Sequence, residues 1–353
     1  MGPFRRESPH IPILDPTLGD PAAARLLDDL RRRDWRALHE FLRAVDDPDD
    51  LAFYIGLCSR TKGLQAWVGE WADAEPRSNL PMLVRGAHAI EWAWLARGTA
   101  LARDTSVAQV RIFQRRLRLA DGYLTEAANR DPHDPTAWSE LIVCAVGMGL
   151  GLEETQRRFG EAVARHRWHV GAHGRLFMQL CAKWGGSDEL MHRFAEETAV
   201  AAPPATGLAV LVAEAHVERW LVINRGGDGR EYLRRPETLA DLHTAAGRSV
   251  RHPAYRRRLG WQRDHNMLAL PFWLAGAYDA AAELFDVLGD QVTAWPWNCR
   301  ERPRRLPASP GSRRTPTRAA ASAHCTLRCS VGVTTITCSI VRASSRSVAT
   351  RSA

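Results

Sequence analysis

Residues 120–141 read Ala-Asp-Gly-Tyr-Leu-Thr-Glu-Ala-Ala-Asn-Arg-Asp-Pro-His-Asp-Pro-Thr-Ala-Trp-Ser-Glu-Leu, and this stretch decides the fold class. Leu124 and Ala127 precede Pro132, and Trp138 and Leu141 follow it, each pair at helical spacing. Proline has no amide proton to donate, so Pro132 ends the first helix. Asp134-Pro135 opens a second, because an aspartate accepts a first-turn amide and proline fits the first helical position. Ala120 and Ala127 mark a close approach between helices. The stretch therefore predicts a helix, a tight turn and another helix.

The same punctuation recurs at Asp20-Pro21 and Asp47-Pro48, and amphipathic segments run from Leu26 to Leu288 with short polar separators. Expected helices include Leu51–Cys58, Leu80–Ala102, Val107–Ala128, Leu152–Ala164, Val170–Trp184, Glu189–Ala199, Leu208–Ile223, Leu259–Ala275 and Tyr278–Leu288. No period-2 alternation of β-branched residues stands out before the C-terminal segment, so the class is all-α. Leu124, Phe159 and Phe194 lie 35 residues apart, as do Leu141, Leu176 and Leu211. A fixed period of this size marks an array in which each helical hairpin hides its apolar stripe against the next.

A chain of 353 residues with 45% hydrophobic and 25% charged residues has the balance of a water-soluble globular protein. All thirteen tryptophans lie between Trp35 and Trp297. The net charge of +8 is not spread evenly: residues 299–353 hold eleven arginines against Glu301 alone, leaving about −2 on the rest. Lys62 and Lys183 are the only lysines, a usage typical of a GC-rich genome. The reading is an unstructured N-terminus at 1–19, a helical domain at 20–298, and a low-complexity Arg/Ser/Ala-rich tail at 299–353. The tail has two explanations, a disordered cationic arm or a frameshifted C-terminus. Under the second, the last hairpin loses its cap and exposes apolar surface around Phe285 and Leu288.

Seven scattered cysteines point to a reducing compartment, and no export signal or long apolar run is found, so a cytoplasmic protein is expected and no membrane partner.

The spacing Ala120-x3-Leu124-x2-Ala127-x4-Pro132-x5-Trp138-x2-Leu141 resembles the tetratricopeptide repeat (TPR) across a repeat junction. Gly276-x-Tyr278-x2-Ala281-x3-Phe285 is similar to the turn and second helix of another unit. Between them Phe159-x2-Ala162 and Phe194 keep the period, while Arg167 stands where a proline is expected, so the array is degenerate. The resemblance implies a TPR-like α-solenoid of antiparallel helix pairs whose concave face binds a protein or peptide. Lys183-Trp184-Gly185-Gly186-Ser187-x3-Met191-x2-Phe194-Ala195 also resembles the marker of a bacterial domain family of unknown function, which implies no activity. Read from its residues, this motif is a helix end: Gly185 or Gly186 takes the left-handed cap and Ser187 starts the next helix.

The densest candidate ligand set is His166-x2-His169-x3-His173, with His192 or Glu196 as a third ligand if the chain folds back. The tail offers His324, Cys325, Cys329 and Cys338 with no credible fold around them. No nucleophile elbow, His-Glu-x-x-His helix or phosphate loop occurs, and Arg225-Gly226-Gly227-Asp228-Gly229-Arg230 reads as a loop between helices. The carboxylate pairs Asp46-Asp47, Glu153-Glu154 and Glu196-Glu197 suit helix starts or solvent faces. Trp67, Trp71, Trp92, Trp94, Trp220, Trp261 and Trp273 read as core. The expected function is a non-catalytic scaffold that binds an unidentified protein or peptide and needs no cofactor. The alternatives are nucleic-acid or acidic-surface binding through the tail, and a metal-dependent protein built on the three histidines.

Overall fold

Asp20, Asp47 and Asp134 each accept a first-turn amide, from Ala23, from Asp49 and Asp50, and from Thr136, and each is followed by proline at the first helical position. These caps start α1 (Pro21–Arg32), α3 (Pro48–Ser59) and α7 (Pro135–Met148) in a computed structural model that describes residues 14–98 and 105–297. In chain order the other helices are α2 (Trp35–Arg43), α4 (Val68–Ala74), α5 (Leu80–Arg97), α6 (Val107–Arg130), α8 (Gly151–Arg165), α9 (Val170–Leu180) and α10 (Asp188–Ala201). Then follow α11 (Val210–Ile223), α12 (Gly229–Leu233), α13 (Pro236–Arg248), α14 (Trp261–Ala275), α15 (Tyr278–Leu288) and a single irregular turn, α16 (Ala294–Trp297). The described residues contain no strand.

Consecutive helices pack on one another through most of the chain, α5 on α6, α6 on α7, α7 on α8, and α14 on α15. Ala120, Leu124, Ala127 and Ala162 are fully buried, as the close approaches require, and Gly86 of α5 faces Leu124 so tightly that a Cβ would stand 2.5 Å from its Cγ. Leu141, Leu176 and Leu211 are buried on α7, α9 and α11, while Phe159 of α8 and Phe194 of α10 meet edge to face at 6.0 Å between ring centroids. Trp71 and Trp220 lie in the core, and Trp138 is half-buried between the guanidinium groups of Arg157 and Arg165. One large cluster of buried side chains runs from α1 to α7 and a second from α9 to α16, with Trp138, Phe159 and Trp184 packed beside a small third cluster. Helix α14 is buried nearly all round, which makes it the central helix of the second cluster.

Several boundaries differ from expectation for local reasons. Helix α5 ends at Arg97, where Gly98 takes a positive φ of 74°, and the rest of the expected segment, 99–102, lies outside the described residues. Residues 225–228 do form a turn, but Asp228 caps the short α12, which contains Gly229 and Arg230. Residues 14–19, expected within the unstructured N-terminus, carry a turn in which the Asp15 carboxylate accepts the amides of Thr17 and Gly19 at 2.9 Å. Leu14 packs on the second cluster, and the Leu18 carbonyl accepts from Gln262 Nε2 at 2.7 Å, so the start of the described chain lies against α14.

The expected apolar exposure at the last hairpin is corrected. Leu288 is buried, and Phe285 is half-buried with the Trp297 ring 5.8 Å away. Trp297 Nε1 donates to Asn266 Oδ1 at 2.6 Å and Trp295 Nε1 to Glu214 at 3.2 Å, which fastens this segment over α14 and α11. No helix of the described residues is long and apolar enough to cross a membrane. Residues 1–13, Asn298 and the tail at 299–353, with its cysteines, His324 and arginines, lie outside the described residues.

Candidate functional site

The three histidines fall at the start of α9, beside the first turn of α3. His169 caps α9: its Nδ1 accepts the Ala172 amide at 3.1 Å, so the proton of the neutral ring is on Nε2, a buried atom without a hydrogen-bond partner. Burial, reinforced by the charge of Arg175, pushes its pKa down to about 3. His173 bonds the His169 carbonyl through Nδ1 at 2.9 Å, and its ring is stacked near-parallel to those of Trp168 and Phe194 with Phe159 edge-on to it. Burial lowers its pKa as well. His166 is half-buried, with Nε2 3.9 Å from Asp49. His192 bonds the Asp188 carbonyl and faces His216 at 5.2 Å. Among the described residues no group of three His, Cys, Asp or Glu side chains is placed to hold a metal ion.

The residue that organises this region is Asp49, which the sequence does not single out. Its Oδ1 accepts the Val170 amide at 2.9 Å, and Arg258 Nη1 reaches its Oδ2 at 3.4 Å. Burial raises the Asp49 carboxyl, and the Arg258 charge opposes the rise. Beyond Arg258 lies Asp264 of α14, whose pKa burial also raises against the pull of Arg258 and Arg263. Asp264 Oδ2 and the hydroxyl of Tyr255 are buried without a hydrogen-bond partner. Gly207 packs against this pair: a Cβ would stand 2.4 Å from Arg258 Nη2 and 2.7 Å from Asp264 Oδ2, so both side chains would have to shift. Perturbed groups gathered in this way are a functional-site pattern, but ion pairs that only hold a fold produce it too.

Further polar contacts join α9 to α7 and α5 to α3. Arg175 donates to Ser139 Oγ at 2.5 Å and pairs with the buried Glu140. On α5, His88 bonds the Ser59 carbonyl at 2.7 Å and Gln65 at 2.8 Å. These contacts tie helices together.

In the motif at 183–191, Gly185 takes the left-handed conformation (φ +93°) and the Ser187 hydroxyl accepts the Leu190 amide at 3.2 Å. Gly186 packs so close to Leu180 that a Cβ would stand 2.0 Å from its carbonyl oxygen. Lys183 pairs with Glu218 of α11 at 2.5 Å, Trp184 meets Trp94 of α5 edge to face, and Met191 is buried against Cys181. Each of these residues has a packing role.

Exposed aliphatic residues gather at the free end of the α5–α6 pair. Gln109 Nε2 donates to the carbonyls of Ala96 and Arg97, which holds the first turn of α6 against the last turn of α5. Leu95 is 75% exposed and Val107 68%. Gly147, in the last turn of α7, packs on Leu117 and Phe113, so the first turns of α6 reach past the end of α7. The solvent face of α6 then carries Arg111, Arg115 and Arg118, all exposed, with no ion-pair partner among the described residues. No protein-family model matches the chain, and no curated protein or solved structure matches it significantly.

Proposed function

We propose that residues 20–298 build a degenerate TPR-like α-solenoid of antiparallel helix pairs and that the protein is a non-catalytic scaffold for another protein or peptide. The 35-residue series supports the array: one series lies on α6, α8 and α10, the other on α7, α9 and α11. The observation that carries the binding role is the adjoining ends of α5 and α6, where Leu95, Val107 and Val110 are each exposed. Arg111, Arg115 and Arg118 continue along α6, so the partner is acidic next to an apolar contact. Binding belongs on this surface and not on an inner face of α5, α7 and α9, because α3 packs against all three of those helices.

The test is affinity capture from the native cells with the wild type and with a Leu95→Asp/Val107→Asp variant. A stoichiometric partner that the variant loses, with its melting temperature unchanged, supports the reading. A partner held equally by both, or none at all, overturns it.

A further inference from the structure

A cavity of about 520 Å³ opens between the end of α1, the turn at 14–19 and the loop after α3. Its size is that of a small-molecule site. Leu30, Leu57 and Trp67, all buried, and the half-buried Leu27 give it an apolar wall. The remaining wall carries Arg31, Arg33, Arg60 and Lys62, and no carboxylate among the described residues lines it. Arg31 pairs with Asp28, and Arg60 approaches Glu91 at 3.9 Å. Arg33 and Lys62 have no ion-pair partner among the described residues, so two full positive charges stand uncompensated beside a hydrophobic surface.

Helix ends account for only part of this charge. Arg31 lies in the last turn of α1 and Arg60 caps α3, where cations offset the carbonyl end of the dipole. Arg33 is different. It occupies the left-handed region (φ +58°) at the C-terminal cap of α1, where glycine is favoured and any side chain is strained. An arginine there works against the stability of the turn, and what it adds is a cation that offsets the α1 dipole and also stands on the cavity wall.

We propose that this cavity binds a small amphipathic anion, a ligand with an apolar body against Leu30, Leu57 and Trp67 and a carboxylate or phosphate between Arg33 and Lys62. Neither half of the site suffices. Leu30, Leu57 and Trp67 offer only a narrow apolar floor, so the charge is needed to select the ligand, and exposed cations alone hold an anion weakly in salt. This site is remote in kind from the scaffold surface on α5 and α6 and does not rest on that reading.

Calorimetric titration of the full chain with submicellar decanoate, with decanol and with inorganic phosphate tests the proposal. Decanoate binds at one site per chain, and decanol and phosphate each bind at least about tenfold more weakly, the factor lost with one charged hydrogen bond or one apolar wall. Arg33→Gly and Lys62→Ala each weaken decanoate by about tenfold or more. Arg33→Gly does so while keeping or raising the melting temperature, which separates lost binding from lost folding. The absence of saturable decanoate binding, decanol binding as tightly as decanoate, or affinity unchanged in both variants overturns the proposal. Phosphate binding as tightly as decanoate would identify a plain anion site and overturn the amphipathic assignment.

Discussion

Arg258 and Asp49 stand 209 residues apart in the chain and meet at 3.4 Å between Nη1 and Oδ2. With the Val170 amide on Oδ1, the carboxylate joins the first turn of α3, the start of α9 and the segment before α14. Asp49 is mostly buried, and Arg258 remains a third exposed, so the pair falls below the strength of a fully enclosed one. A double-mutant cycle with Asp49→Asn and Arg258→Ala should give a coupling of about 1 kcal/mol by urea unfolding. Additive effects would mean that the contact contributes nothing to holding these segments together.

His169 makes the fold acid-sensitive. Its pKa falls from an ordinary value near 6.5 to about 3, so its contribution is whole above pH 6.5 and is lost as pH falls from there toward 3. His216, pushed down to about 4 by burial, has the same sign, whereas Asp49, Asp134, Asp264 and Glu214 are raised and favour the fold when protonated. Comparing His169→Asn with the wild type cancels those other groups, and asparagine keeps the cap on α9. The variant should gain about 1–2 kcal/mol relative to the wild type between pH 7 and pH 5, read by thermal melting. A pH-independent difference would show that His169 takes up its proton in the folded state.

Adjacent glycines in the 183–191 motif should respond differently to alanine. Gly185 has open space but a left-handed backbone, so Gly185→Ala costs about 1 kcal/mol. Gly186 faces the backbone carbonyl of Leu180, which cannot move like a side chain, and Gly186→Ala should cost at least about 2–3 kcal/mol. Melting temperatures of the two variants decide it, and equal shifts would contradict the packing at Leu180.

Much of the helical framework was legible residue by residue. A helix start depends on atoms within four positions, so Asp20, Asp47, Asp134 and Ser187 announced theirs. The burial of Leu124, Leu141, Leu176 and Leu211 followed from helical spacing, because a stripe of apolar residues must face something. Helix α12 escaped notice because five residues are too few to show a period.

The candidate sites were not legible in the same way. His166, His169 and His173 looked like a ligand set by spacing, yet His169 and His173 spend their Nδ1 atoms on the backbone of α9. Only the stacking of helices could place Arg258 on Asp49, Trp297 on Phe285, or Lys62 beside Leu30 and Trp67. What the sequence by itself determined is which segments coil and which face of each is apolar, since backbone hydrogen bonds and side-chain periodicity are local. Which faces meet, and which charges are left together where they meet, was decided by the tertiary structure, because those contacts join residues whose separation along the chain leaves no pattern to read.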